Sequence, residues 1–186
     1  MNLFSRKVTV FADEPLELGN PSDAGNTDPN NYLLEKSGYT LSYNNSTLCP
    51  NWVIWHLDEN DFGDSGRSNS FKNDKTLPEN FYQTKSSDYK FTAYGFDRGH
   101  VCPSADRTST PELNKETFLM TNMIPQCADL NRIAWMHLEN FEREMTKGGN
   151  ELYIIAGPYG TGGESERGFF EHIPINSPTT NSSDSS

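Results

Sequence analysis

One run of helical periodicity constrains the fold of this 186-residue chain more than any other feature of its sequence. Apolar residues recur at helical intervals between Asn131 and Lys147: Ile133, Met136, Phe141 and Met145. The glycines that follow, Gly148 and Gly149, are a helix stop signal. The spacing therefore predicts a helix over 131–147.

Short strand-like segments surround this predicted helix. Residues 39–43 and 51–57 are rich in aromatic and β-branched side chains and lie between turn signals, so a hairpin is expected there. A short extended piece is predicted over 89–96. A strand is predicted over 117–124, closed by Pro125, with a short helix as the alternative, and a buried strand is predicted over 151–158.

The composition is that of a polar, folded domain rich in loops. Apolar residues make up only 33 % and the mean hydropathy is -0.75, but aromatic residues reach 12 % and can anchor a core. No apolar run approaches the length that spans a bilayer, and no signal peptide is visible at the amino terminus. The three cysteines leave two readings open, one disulfide with a free thiol or three thiols.

The net charge of -11 is unfavourable for a protein that binds phosphate, since such proteins usually carry a basic surface. The acidity is unevenly distributed, however. Residues 90–149 hold seven basic residues against eight acidic ones, so nearly all of the excess negative charge lies outside this stretch. The stretch with balanced charge is also the one that contains the candidate chemistry.

Two elements within that stretch indicate a candidate functional site. The first is the tetrapeptide DRGH at 97–100. The second is the face of the predicted helix that Asn131, Glu139 and Arg143 share, because steps of eight and four residues advance about 80° and 40° around a helix. Ile133, Phe141 and Met145 fall on other faces. Taken by spacing alone, Glu139 and Arg143 could equally form an ordinary ion pair on a solvated face.

Together, DRGH, the segment TNMIPQ at 121–126 and the residues of that helix face resemble the DNA/RNA nonspecific endonuclease family, whose site is a ββα-metal finger. The segments LGNPSDAG and NWVIWHL upstream are also similar to the family. The resemblance implies an α+β fold with a central antiparallel sheet, packed helices and a ββα finger across one face, shortened at the C-terminus. It implies an endonuclease domain over 17–163, with an extension over 1–16 and a polar, disordered tail over 164–186.

The resemblance also implies roles for individual residues. His100 is the general base that activates water. Asn131 is the protein ligand of a Mg²⁺ ion, with Mn²⁺ as an alternative. Glu139 orients waters bound to the metal, and Arg143 offsets charge that develops at the phosphate.

Two further residues complete the expected site. Asn122 is a site residue that organises hydrogen bonds, and Arg67 is the candidate for an arginine upstream of the motif. Asp97 and Arg98 are expected to shape the motif rather than to act in the chemistry.

The function implied is metal-dependent hydrolysis of DNA and RNA with little sequence preference, leaving 5′-phosphate ends. No membrane partner is expected, and the sequence leaves open whether a protein inhibitor exists. The resemblance favours a secreted or periplasmic location. The alternative is a catalytically impaired nuclease fold that binds nucleic acid or another protein, and a third reading is a phosphodiesterase for small nucleotides.

Overall fold

The structure is a computed structural model that describes residues 15–175, and its centre is a four-stranded antiparallel sheet. The strands lie in the order β1-β2-β3-β6. Their bounds are β1 Tyr32–Glu35, β2 Thr40–Asn44, β3 Cys49–Leu57 and β6 Leu152–Ala156. The hairpin predicted from the sequence is confirmed as β2 and β3, which pair antiparallel with a register shift between Ser42 and Tyr43.

The main core lies against this sheet. Aromatic and aliphatic side chains of β2 and β3 alternate toward it, as expected for a sheet with one face on a core. Its fully buried members include Tyr39, Leu41, Tyr43, Val53, Trp55 and Leu57. Val101 and Cys102, which directly follow the DRGH motif, join the same cluster. The core therefore fixes the chain immediately after His100.

A second, two-stranded antiparallel sheet carries the motif. Strand β4, Phe96–His100, pairs with β5, Met123–Cys127, so that His100 lies opposite Met123. A helix follows, with a π-helical first part at Leu130–Trp135 that continues as α3 at Met136–Met145. We call these two helical segments together the site helix, and β4, β5 and the site helix the ββα finger.

The remaining elements are short. Two helices precede the site helix, α1 at Phe91–Tyr94 and α2 at Pro111–Glu116. A hairpin follows β6, with β7 at Gly163–Ser165 and β8 at Gly168–Phe170. Single 3-10 turns occur at Glu59–Asp61, Ser86–Tyr89, Ser104–Asp106 and Met120–Asn122. Within residues 15–175, none of the helices has the length and apolarity needed to cross a bilayer.

The predicted α+β fold with its antiparallel sheet is confirmed, but several local predictions were wrong. The extended piece expected over 89–96 contains α1. The strand expected over 117–124 begins only at Met123, after a 3-10 turn, and it runs through Pro125. Proline is tolerated there because β5 has a strand partner on one side only.

Two further differences concern the end of the chain. Strand β6 lies at the edge of the sheet and is only partly buried, with Ile155 51 % exposed, whereas a buried strand was expected. The tail expected to be disordered from residue 164 instead forms most of the β7-β8 hairpin. Residues 176–186, like residues 1–14 of the predicted extension, lie outside the described residues.

The site helix begins and ends close to its predicted bounds, but its outer face is exposed. Gly148 and Gly149 have φ values of +85° and +84°, a left-handed conformation that glycine adopts readily, and they follow the helix as the sequence predicts. Ile133 and Phe141 are 54 % and 62 % exposed. The apolar positions that gave the helix its periodicity therefore do not enter the core of the described chain.

The glycine of DRGH is required by packing within the finger. A Cβ atom added at Gly99 would overlap the side-chain amide of Gln126, which lies on the paired strand β5 and is buried. The motif therefore contains glycine at this position because a neighbouring side chain fills the space.

We predict that Gly99→Ala lowers the free energy of unfolding by about 1–3 kcal/mol, the usual cost of overpacking. Urea unfolding of the purified protein measures this change. Gly66→Ala is the matched control, since a Cβ there meets nothing within 4 Å. The double variant Gly99→Ala/Gln126→Ala should be less destabilised than the sum of its single changes, and strict additivity of the two would contradict the explanation.

Candidate active site in the ββα finger

His100 ends β4, and its imidazole is buried among aromatic rings. The ring is packed edge-on against Phe118, with centroids 4.7 Å apart, and lies 5.6 Å from the ring of Phe71. Its Nε2 atom is buried and has no hydrogen-bond partner among residues 15–175. Burial, aided by the positive charges of Arg67 and Arg98, lowers the pKa of His100 to about 3. The imidazole is therefore neutral at pH 7.

The first residue of the motif, Asp97, joins β4 to the beginning of the site helix. Its Oδ2 accepts hydrogen bonds from Asn131 Nδ2 at 2.9 Å and from Arg132 Nε at 2.8 Å, and its Oδ1 accepts from Arg132 Nη2 at 2.7 Å. Burial alone would raise the pKa of Asp97, but these hydrogen bonds outweigh it and the pKa lies below its ordinary value. Asp97 therefore remains ionised and holds both helix residues.

The same contact orients the amide of Asn131. A carboxylate only accepts hydrogen bonds, so the atom of Asn131 that faces Asp97 must be its nitrogen. The carbonyl oxygen is thereby left for another partner. Within the described residues no group of three His, Cys, Asp or Glu side chains is suited to hold a metal ion. A site built on one amide oxygen suits Mg²⁺, which keeps most of its waters, better than a metal that needs several protein ligands.

Glu139 and Arg143 lie on the inner face of the site helix, each with a side chain 18 % exposed. Burial and the nearby carboxylate of Asp106 raise the pKa of Glu139 to about 7, against the opposing charge of Arg143. The two residues are 4.0 Å apart at Arg143 Nη2 and Glu139 Oε2. The i,i+4 ion pair that spacing alone allowed is therefore present, but it lies on a mostly buried face, and the shorter contact of Arg143 is with Asp106, at 2.6 Å.

Arg67 reaches the same place from a loop far upstream. Its Nη1 donates to Ser104 Oγ at 2.7 Å and its Nε donates to Asn69 Oδ1 at 2.9 Å. Its guanidinium lies over the ring of Phe118, 5.0 Å from the centroid. The positive charge of Arg67 lowers the pKa of both His100 and Glu139, which shows that these groups share one electrostatic environment.

Asn122 is fully buried beneath the site rather than exposed in it. Its Oδ1 accepts from the backbone N–H of Cys102, and its Nδ2 donates to the carbonyls of Cys102 and Thr117, all at 2.9 Å. The backbone N–H of Val101 donates to the carbonyl of Asn122 at 3.0 Å. These bonds brace the two residues after His100, in keeping with an organising role, and both N–H groups of the amide are already used.

Sequence reasoning missed the residues that surround these side chains. Asp106, the partner of Arg143, follows DRGH by six residues, but no periodicity connects it to the helix. Phe71 and Phe118 enclose His100 from two separate segments. The only sequence signal for Asp106 was its closeness to the motif.

The cysteines Cys49, Cys102 and Cys127 are all free thiols.

A profile of the DNA/RNA non-specific endonuclease family matches residues 20–181, which is most of the chain. The chain belongs to this family. The endonuclease family typically uses a divalent metal, and the chain is similar to several of its nucleases along much of its length.

A nuclease of Nostoc sp. is 50 % identical over 155 residues, which covers 82 % of this chain and 56 % of the relative. Endonuclease G of Bos taurus mitochondria is 28 % identical, with 81 % of this chain and 52 % of the relative covered. A crystal structure of EndoG with EndoGI superimposes with a TM-score of 0.68 at 28 % identity, covering 84 % of this chain and 62 % of that one. The endonuclease chain thus spans about half the length of the curated relatives it matches.

The lowered pKa of His100 predicts a specific dependence of stability on pH. Between a folded-state pKa of about 3 and an unfolded-state value of about 6.5, only the unfolded chain binds this proton, so the free energy of unfolding falls as pH is lowered through that window. At pH 4.5 the loss relative to pH 7 should be about 2–3 kcal/mol from this residue alone.

Urea unfolding of wild type and of His100→Gln at pH 7 and pH 4.5 measures the effect. The variant should lose less stability than wild type on acidification, since the groups other than His100 titrate in both proteins. Equal losses in the two proteins would show that His100 is not held neutral by its surroundings.

Proposed function

We propose that this chain is the catalytic part of a metal-dependent endonuclease that hydrolyses phosphodiester bonds of DNA and RNA, with His100 as general base. The observation that carries the proposal is the juxtaposition of a neutral, buried imidazole with Glu139 and Arg143 of the same finger and with Arg67 from the loop beside it. Phosphodiester hydrolysis needs a base for water, positive charge for the phosphate and a group that aids the leaving oxygen.

His100 takes the proton of the attacking water. Its neutral state at pH 7 provides the lone pair that a base requires. A pKa near 3 is low for efficient proton transfer, but a bound phosphodiester places a negative charge beside the ring and raises the pKa toward the useful range. The imidazole of His100 is therefore a weak base in the free protein and becomes a stronger base when substrate is bound.

Asn131 would hold the metal through its carbonyl oxygen, the atom that Asp97 leaves free. When bound, Mg²⁺ supplies charge neutralisation at the phosphate and lowers the pKa of its bound water. Glu139 accepts hydrogen bonds from waters around that oxygen and so orients them. Its raised pKa of about 7 shows that it lies in a partly desolvated position, where the approach of positive charge favours its ionised form.

Arg143 and Arg67 offset the negative charge that grows on the phosphate in the transition state. Neither needs to contact a base, and contacts to phosphate carry no sequence information. As the family membership implies, the proposed substrates are DNA, single- or double-stranded, and RNA, with products that carry 5′-phosphate ends. A solved structure of EndoG with EndoGI is similar to this chain, so we also propose an inhibitor protein as a partner class to be tested.

A plasmid-nicking assay tests the proposal. Wild type with Mg²⁺ should convert supercoiled plasmid to open-circular and linear forms and should degrade RNA, and chelation should abolish both activities. His100→Ala should lower kcat by a factor on the order of 10²–10⁴, the typical contribution of general base catalysis, with DNA binding retained.

His172→Ala is the matched control, because the side chain of His172 is exposed and lies outside the finger. Its nicking rate should equal that of wild type. Binding without cleavage by wild type would favour the catalytically impaired alternative, and cleavage of a dinucleotide ester without cleavage of plasmid would favour a small-nucleotide phosphodiesterase. Near wild-type cleavage by His100→Ala would refute the assignment of the base.

A further inference from the structure

Asp106 is a fully buried carboxylate that the proposed mechanism does not yet use. Its side chain is 0 % exposed, in the 3-10 turn six residues after His100. Its two oxygens have different partners. Oδ1 accepts from Arg143 Nη1 at 2.6 Å, and Oδ2 accepts from Trp55 Nε1 at 3.0 Å. A chain of contacts therefore runs from the central strand β3, through Asp106, to the site helix.

Arg143 is the only cation whose contact with the Asp106 carboxylate is recorded within residues 15–175. The adjacent Arg107 is buried too, but its hydrogen bonds go to the backbone carbonyls of Gly38, His56 and Asp106. Its ion pair is with Asp61, at 3.2 Å. Arg143 is thus the main positive charge that offsets the negative charge of Asp106.

A buried carboxylate is expensive to retain, because it loses its hydration. Burial raises the pKa of Asp106, although Arg143 first, then Trp55 and the charge of Arg107, oppose the rise. Fold stability alone is a weak reason for such a group, since an apolar side chain of similar volume is often as stabilising. A fixed geometry for Arg143 is a better reason, because a short, charge-assisted hydrogen bond restricts the guanidinium to one orientation.

We propose that Asp106 is a positioning residue that holds the Arg143 guanidinium against the phosphate, with Trp55 fixing the carboxylate in turn. This inference rests on the proposed function. Arg143 is long and partly exposed, and its other recorded contacts are with Asn140, three residues before it, and Glu139, four residues before it, on its own helix. Among residues 15–175, Asp106 is the one side-chain partner that links Arg143, through Trp55, to strand β3.

Removing the charge of Asp106 tests the proposal with two readouts. In Asp106→Asn, one amide oxygen must serve two donors, so Arg143 loses its fixed partner. We expect kcat to fall by on the order of 100-fold, as for a misplaced catalytic group, with KM nearly unchanged. In an Arg143→Ala background, the same substitution should change kcat little, because the two residues act as one unit.

The second readout does not depend on activity. In wild type, the guanidinium N–H signals of Arg143 should be resolved by nitrogen NMR and exchange slowly with water. In Asp106→Asn they should broaden or vanish. Asp61→Asn is the matched control, since Asp61 contacts Arg107 and not Arg143, and it should change neither the signals nor kcat.

If Asp106→Asn does not fold, Trp55→Phe carries the test, because it removes the Nε1 donor to Asp106. The smaller ring also leaves a cavity, so a control with the same loss of volume is needed. Trp52→Phe is its control. The side chain of Trp52 lies on the opposite face of β3 from Trp55, and its Nε1 donates to Ser22 Oγ. Trp55→Phe should lower kcat and mobilise Arg143, and Trp52→Phe should do neither.

The outcomes separate the two proposals. A wild type that never cleaves nucleic acid overturns the proposed function, and the NMR comparison still decides whether Asp106 positions Arg143. An active wild type whose Asp106→Asn variant keeps ordered Arg143 signals overturns the positioning role. So does a loss of kcat that adds fully to that of Arg143→Ala.

Discussion

The carboxylate of Asp97 connects the end of a two-stranded sheet to the beginning of the helix that carries the rest of the site. Three hydrogen bonds converge on it, one from Asn131 and two from Arg132. Among residues 15–175, these are the side-chain hydrogen bonds that join β4 to the site helix, and they set the position of His100 relative to Asn131. The contact also decides which atom of Asn131 remains available, because only the amide nitrogen can face a carboxylate.

Each residue of the DRGH motif has its own packing or hydrogen-bonding task within this chain. Asp97 holds the helix, Gly99 leaves space for the amide of Gln126, and His100 projects from the strand end into an aromatic enclosure. Arg98 packs over the ring of Phe71, which in turn contacts His100. The motif therefore works as a packed unit in which only the last residue is proposed to touch the reacting water.

The electrostatics of the site explain how an acidic chain can serve a phosphate substrate. The chain carries a net charge of -11, yet the finger and the loop beside it bring Arg67, Arg98 and Arg143 into one region. Burial, aided by the charges of Arg67 and Arg98, lowers the pKa of His100 and keeps it neutral. Burial and Asp106 raise the pKa of Glu139. The two acid-base groups are thus shifted in opposite directions from their ordinary values by the same desolvated environment.

Sequence reasoning predicted what depends on local spacing and missed what depends on distant contacts. The β2-β3 hairpin follows from aromatic and β-branched residues that cluster between turn signals. The face predicted for Asn131, Glu139 and Arg143 assumed α-helical steps, whereas the helix is π-helical over Leu130–Trp135, so the position of Asn131 relative to the other two did not follow from spacing. The Asp106 partner of Arg143 lies 37 residues away in sequence, and no pattern connects them.

The elements that the sequence did not predict were missed for a similar reason, because they depend on contacts between distant residues. Helix α1 and the β7-β8 hairpin are short, and they are set by contacts with each other rather than by their own periodicity. Tyr94 in α1 packs edge-on against Phe170 in β8, with ring centroids 5.4 Å apart. The exposure of Phe141 was missed because an apolar residue at helical spacing normally indicates a buried face.

The account depends most on the claim that Asn131, oriented by Asp97, holds a divalent metal that keeps most of its waters. Water-proton relaxation in the presence of Mn²⁺ measures this directly, because a bound ion with many waters enhances relaxation strongly. Wild type and His100→Ala should show the same enhancement, and Asn131→Ala should show none above that of free Mn²⁺. Equal Mn²⁺ binding by wild type and Asn131→Ala would contradict the account.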